Sequence, residues 1–235
     1  MKRSVEERLD ELLRRYGLAQ GAARQLPSLL DALASEPDPH TTVPLDEAVD
    51  VHVADSLSGL EVPELRSAAA IADVGSGAGF PGLPLAIALP AARVDLVESA
   101  GRKAEVIRRL IAAAGVSNAR VIRERVEQLA AVAGRERYEA VTVRAVGALA
   151  VLIEYASPLL RTGGVLVAWK GSRDRNEEDA AVAAADRAAM GPRAVLPVEP
   201  YAGSRDRHLH VYAKTGPTPP GLPRRPGMAA KRPLG

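Results

Sequence analysis

The sequence predicts an α/β protein with a doubly wound, mostly parallel sheet and a helical N-terminal extension. Three observations predict it. From residue 69 onward, short β-branched runs alternate with helical stretches at the spacing of βαβ units. One such run ends in three alternating glycines and passes straight into a helix. The 235 residues are 47% hydrophobic but only 3% aromatic, so the core is aliphatic, built from Ala, Val, Leu and Ile.

The N-terminal part, 1–66, reads as helical. Ser4 and Glu7 form a capping box, and Val5, Leu9, Leu12, Leu13 and Tyr16 follow at helical spacing. A second helix holds Leu26, Leu29, Leu30 and Leu33 and is stopped by Pro37 and Pro39. A third is expected over 46–60, with Val49, Val53, Leu57 and Leu60 on one face. The main domain, 67–214, carries expected strands at 70–74, 94–98, 120–123, 140–144, 165–170 and 208–214. Helices are expected between them at 83–89, 102–114, 149–160 and 177–190. The last strand alternates Leu209, Val211 and Ala213 against His210 and Tyr212, which suits an antiparallel partner. Residues 215–235 are rich in proline and glycine and carry Arg224, Arg225, Lys231 and Arg232 without an acidic residue; a disordered basic tail is expected.

Composition excludes several chemistries. With no cysteine, the chain can hold no disulfide, thiolate zinc site or cysteine-ligated iron–sulfur cluster, and it lacks a thiol nucleophile. No metal site is expected. No apolar run approaches the roughly 20 residues that span a bilayer. The first residues turn acidic at once, unlike a signal peptide, so a soluble, cytoplasmic protein without a membrane partner is expected. The net charge of +2 depends on the four basic tail residues, and the rest is slightly acidic. Any nucleic-acid contact must therefore come from a local patch.

The glycine-rich segment is Asp73-Val74-Gly75-Ser76-Gly77-Ala78-Gly79. Alternating glycines allow positive φ and bring backbone amides close to a ligand. Asp73 lies just before them, where a carboxylate can meet the amino end of a methionine moiety and would serve a pyrophosphate poorly. The second strand ends at Glu98, placed for a ribose diol. No Gly-Lys-Ser/Thr follows, which excludes a phosphate-cradling loop. S-adenosylmethionine (SAM) fits these features best and a nicotinamide dinucleotide second.

Phe80-Pro81-Gly82-Leu83-Pro84 continues the glycine turn, and His52-Val53-Ala54-Asp55-Ser56-Leu57 precedes it. Glu98-Ser99, Arg102-Lys103, Arg125-Val126-Glu127, Val143-Arg144-Ala145, Lys170-Gly171 and Arg207-His208-Leu209 follow in order. Over about 45–214 this series resembles the ribosomal RNA small subunit methyltransferase G family, also called glucose-inhibited division protein B. The resemblance implies a Rossmann-like SAM-dependent methyltransferase fold and methyl transfer to N7 of a guanine in the decoding-region loop of 16S rRNA. It places cofactor contacts on Gly75, Phe80, Val126, Glu127 and Arg144, with Glu98 on the ribose; Asp73, Ser76 and Gly77 complete the set. Val51 stands where the family commonly has a basic residue before the histidine, and the family's aromatic-rich stretch is absent from 38–43.

The residues agree with this chemistry independently. N7 of guanine has an in-plane lone pair and no proton, so no general base is needed and catalysis is mostly alignment. The chain has neither a cysteine nucleophile nor the Asn/Asp-Pro-Pro-Tyr/Phe motif that orients an exocyclic amine. No catalytic group is assigned; Arg144, at the end of the fourth strand, is the candidate positioning residue. Lys170, Arg205, Arg207 and His208 are candidate RNA contacts. His52, Asp55 and Ser56 share a helix face and read as a local polar network. The expected partner is 16S rRNA within a 30S subunit or its precursor, met by a monomer. An NAD-dependent dehydrogenase and a non-catalytic nucleotide-binding regulator are the alternatives.

Overall fold

The computed structural model describes residues 4–41 and 43–234; residues 1–3, 42 and 235, which fall in the expected extension and tail, lie outside them. Helix α1 (Val5–Tyr16) starts at Ser4, where the Ser4 hydroxyl accepts from the Glu7 amide and the Glu7 carboxylate accepts from the Ser4 amide. Helix α2 (Ala22–Ser35) follows. The single helix expected over 46–60 is instead four short pieces. They are a 3₁₀ turn (Leu45–Glu47), a π-helical stretch (Val49–Ala54), α3 (Asp55–Leu57) and a second 3₁₀ turn (Ser58–Glu61). Apolar spacing identified the inward face, since Val49, Val53, Leu57 and Leu60 are all buried. Spacing does not distinguish i→i+4 from i→i+5 bonding, and π turns recur at functional sites.

After α4 (Pro63–Arg66) come β1 (Ala70–Val74), α5 (Gly82–Ala88), β2 (Arg93–Val97), α6 (Gly101–Ala114) and β3 (Ala119–Ile122). Next are α7 (Val126–Ala131), β4 (Tyr138–Arg144), α8 (Leu149–Ala156), β5 (Leu160–Lys170) and α9 (Arg175–Arg187). The chain closes with β6 (Met190–Pro197), β7 (His208–Lys214) and α10 (Met228–Lys231). The seven strands are ordered β3-β2-β1-β4-β5-β7-β6. β1 to β5 run parallel, and β7 is antiparallel to both β5 and β6. The expected doubly wound sheet with an antiparallel C-terminal strand is therefore present. Several elements differ from expectation: the helix expected over 149–160 stops at Ala156, and β5 starts at Leu160 instead of residue 165. The helix expected to reach 190 stops at Arg187, and residues 190–197 form β6, whose Pro192 and Pro197 suit an edge strand. Helix α7, only six residues long, is too short to show a period.

Helices cover both faces. Ile71, Val94, Leu96, Ala140 and Val167 point into one core with α1, α2, α5, α6 and the 49–60 segment. Ala72, Val74, Val97, Val141 and Leu166 point into the other with α7, α8 and α9. This strict alternation decides where the polar residues go: Asp73 and Thr142 fall on the first face, in register with each other. The sheet order reverses between β1 and β4, so the ends of these two strands flank the crevice where α/β proteins bind ligands.

The expectation of a disordered tail is corrected. Leu222 and Ala229 are buried, Thr218 is buried beside Lys214, and Arg224 forms a two-bond ion pair with Glu154 on α8. Proline content within the segment predicts disorder only if nothing outside it needs covering, and α8 does. Among the described residues, no helix is long and apolar enough to cross a membrane.

Candidate functional site

β1 ends at Val74, and Gly75, Gly77 and Gly79 carry the chain over the sheet edge with φ of +69°, +59° and +94°. The turn is bonded to the next strand: the Gly75 and Ser76 amides donate to the Val97 carbonyl at 2.9 and 3.3 Å. Glu98 lies directly beyond. Its carboxylate accepts from Gly77 N–H at 3.1 Å and Ala100 N–H at 2.8 Å. A crevice of about 120 Å³ opens here, lined by Gly75, Glu98, Val126 and Glu127 together with Ser99, Glu124, Arg125, Val146 and Tyr155. The crevice unites four of the expected cofactor residues. Ser99, Glu124, Arg125 and Val146 directly follow the ends of β2, β3 and β4, so the rule that ligands bind at carboxyl ends could have found them. Tyr155 comes from α8 and leaves no sequence signal.

Asp73, Ser76 and Phe80 are placed elsewhere. Asp73 is fully buried, its oxygens accepting from the Gly82 amide at 3.1 Å and the Thr142 hydroxyl at 2.9 Å. It braces the start of α5 against β4 and has no surface left for a methionine moiety. Ser76 is also buried, its hydroxyl turned back to the Asp73 carbonyl at 2.8 Å. Phe80 lies beneath His52, the rings stacked 4.3 Å apart at 11°.

Burial raises the Asp73 carboxyl to about 6 against the opposing pull of its hydrogen bonds. The fold therefore favours protonated Asp73. That contribution is complete below the ordinary carboxylate range and is lost as pH rises through about 6. Asn at this position can accept from Gly82 and donate to Thr142. We expect Asp73→Asn to keep SAM affinity and to raise stability at pH 7 by roughly 2–3 kcal/mol relative to wild type, a gain that vanishes near pH 4. Chemical denaturation of both proteins between pH 4 and 8 checks this, and a loss of SAM binding would return Asp73 to the ligand surface. The comparison must be between the two proteins, because burial and the Arg144 charge hold His52 down to about 4. That lowered group withdraws stability as pH falls through the same window.

Arg144 ends β4 on the same sheet face as Asp73, so it meets the 49–60 segment. Its guanidinium donates to Asp55 Oδ2 at 2.8 Å, to the Val51 carbonyl at 2.9 Å and to His52 Nδ1 at 3.3 Å. Arginine can only donate, so His52 Nδ1 accepts and Nε2 carries the proton, donating to Thr41 Oγ1 at 2.9 Å. His52 and Asp55 thus converge on Arg144, while Ser56 bonds back to the His52 carbonyl at 2.5 Å and is structural. Thr41 in this network, and Thr142 beside Asp73, are partners that sequence reasoning missed.

A second cavity, about 230 Å³, is lined by Arg144, Lys170, Arg207 and His208 with Asp55 and Trp169. It brings three of the four expected RNA residues together; Arg205 is exposed and outside it. Lys170 is tied to Glu177 at 2.7 Å, His208 Nδ1 donates to the Gly171 carbonyl at 2.9 Å, and Trp169 Nε1 donates to the Asp55 carbonyl at 2.8 Å. Ala145 and Gly147 line this cavity while Val146 lines the first, so the 145–147 turn is the wall between them. Among the described residues, no cluster of His, Asp and Glu could hold a metal ion.

The family model for GidB, rRNA small subunit methyltransferase G, matches residues 41–198. Proteins named ribosomal RNA small subunit methyltransferase G are similar to the chain. The Rubrobacter xylanophilus protein is 47% identical over 189 residues, covering 78% of this chain and 72% of its own. The one from Pelotomaculum thermopropionicum is 43% identical over 188 residues, covering 78% and 77%. Among solved structures, Aeropyrum pernix fibrillarin with natively bound SAM superposes with a TM-score of 0.53 at 16% identity, covering 68% of this chain and 73% of that one. A predicted O-methyltransferase from Agrobacterium tumefaciens gives 0.52 at 23% identity, covering 70% and 80%. These two likenesses concern the fold. The matched family model spans the glycine turn, the crevice and Arg144, and the chain belongs to the GidB family of rRNA small subunit methyltransferases G.

Proposed function

We propose that the protein transfers the methyl group of SAM to N7 of a guanine in the decoding-region loop of 16S rRNA. In this reading it acts as a cytoplasmic monomer on the 30S subunit or its precursor, with 215–234 as an appendage of the methyltransferase domain and 4–66 as its N-terminal layer. The observation that carries the proposal is the cavity lined by Arg144, Lys170, Arg207 and His208, one turn away from the crevice of Gly75 and Glu98. Glu98 is suited to a ribose diol because each oxygen keeps a free lone pair beyond its amide bond. At Gly75 a Cβ would meet Val146 at 2.6 Å, so a glycine lets the 145–147 turn approach the end of β1. When bound, SAM would supply an electrophilic methyl on sulfur, to which the N7 lone pair of guanine would bond as the S–CH3 bond breaks and S-adenosylhomocysteine leaves. No residue has to remove a proton. The groups at hand agree: Asp73 is sealed, Asp55 is paired with Arg144, and His52 is neutral with both ring nitrogens engaged. What these residues supply is alignment, which can account for several powers of ten in rate. Arg207, which lines the Arg144 cavity, offers positive charge to RNA phosphates, and His208 beside it offers a ring nitrogen.

The test is methylation of 30S subunits from cells lacking the protein, with labelled SAM and mapping of N7-methylguanosine by strand scission. One modified guanine in the decoding region is expected. Label at an exocyclic amine or at a ribose would overturn the proposal.

A further inference from the structure

The C-terminal segment reaches the cofactor crevice. Helix α8 buries Leu149, Ala150, Val151, Leu152, Ile153, Glu154 and Ala156, so it is apolar on almost every face and must be covered on the side away from the sheet. Helix α9 and residues 215–234 together supply that cover. Leu222 is buried with α8 and Arg135 donates to its carbonyl at 3.0 Å. Arg224 grips the buried Glu154 through two bonds of 2.6 and 2.5 Å, the fork geometry that fixes direction as well as charge. Three residues later the chain turns at Gly227, with φ +79°, and its amide donates to Glu127 Oε1 at 2.8 Å. Glu127 is a wall of the 120 Å³ crevice. Leu222, Arg224 and Gly227 all lie beyond residue 198, where the family match ends.

We infer that residues 215–234 are a strap that completes the cofactor crevice, with Arg224 as anchor and the Gly227 amide as the group that positions Glu127. The inference rests on the SAM reading of that crevice. Glu127 is in the first turn of α7, which follows β3, as Glu98 follows β2; a ligand laid across β1, β2 and β3 would bring its adenine end to Glu127. Docking of the strap and binding of the cofactor must then stabilise each other by the same factor. The strap holds a group that binds the non-reacting end of the cofactor, so its loss acts on ground state and transition state alike.

The experiment uses the full chain, with SAM as the probe. Arg224→Ala should raise KM for SAM about 3- to 10-fold, the worth of one positioned hydrogen bond, while kcat stays within about twofold. Arg224→Lys, which keeps the charge but not the fork, should lie between. Arg225→Ala removes the same charge from an exposed neighbour and should leave KM unchanged. In the wild type, SAM should slow amide hydrogen exchange across 222–231, a measurement that needs no variant. Unchanged KM in Arg224→Ala, an equal rise in Arg225→Ala, or absence of SAM-dependent protection in a wild type that binds SAM would each overturn the strap. A wild type that does not bind SAM at all would instead overturn the reading on which the strap rests.

Discussion

Gly75→Asp is expected to abolish SAM binding, raising the dissociation constant at least about 100-fold, which is near 2.7 kcal/mol. Three effects combine. The glycine has φ +69°, a conformation that costs an L side chain about 1 kcal/mol, less for Asp than for most. A Cβ would lie 2.6 Å from Val146 Cγ2. That contact alone is relieved when the partly exposed Val146 side chain moves, so the fold should survive. The larger effect is that the new side chain enters a crevice of only about 120 Å³, already lined by Glu98, Glu124 and Glu127, and adds a fourth carboxylate. Calorimetric titration with SAM, alongside thermal unfolding, separates lost binding from lost structure. Wild-type affinity in a folded Gly75→Asp protein would move the cofactor site elsewhere.

Arg144→Ala should lower methyl transfer by about 100-fold, the scale on which a displaced positioning group acts. It should also destabilise the protein by about 3–5 kcal/mol, because Asp55 is left buried without its partner. These two effects can be divided. The double variant Arg144→Ala/Asp55→Ala removes the stranded carboxylate and should recover much of the stability without recovering transfer. Denaturant titration and single-turnover methylation of 30S subunits measure the two quantities. A wild-type transfer rate in the double variant would rule out the role given to Arg144, whatever its stability.

Much of the site was legible because it follows from strand ends. Gly75, Glu98 and Arg144 were placed by the rule that ligands bind at the carboxyl edge of a parallel sheet, and the structure puts them there. Asp73 faces the core for a physical reason. A residue just before the glycines can face either the crevice or the core, and its direction depends on the pleat and on the register with β4, which set it opposite Thr142. The same limit applied to His52 and Asp55. Their spacing showed a shared face, but only the crossing of a π-helical stretch over the end of β4 shows that this face belongs to Arg144.

By itself the sequence determined the doubly wound architecture, the glycine turn and the chemistry excluded by missing cysteine, because these depend on local conformation and residue type. Tertiary structure alone decided which carboxylates line the crevice, that β6 is an edge strand, and that the tail is docked. Each of these depends on what lies across the sheet or beside a helix from another part of the chain. Burying α8 on its outer side stabilises the docked form of a segment whose own composition reads as disorder, and that docking carries the Gly227 amide to Glu127.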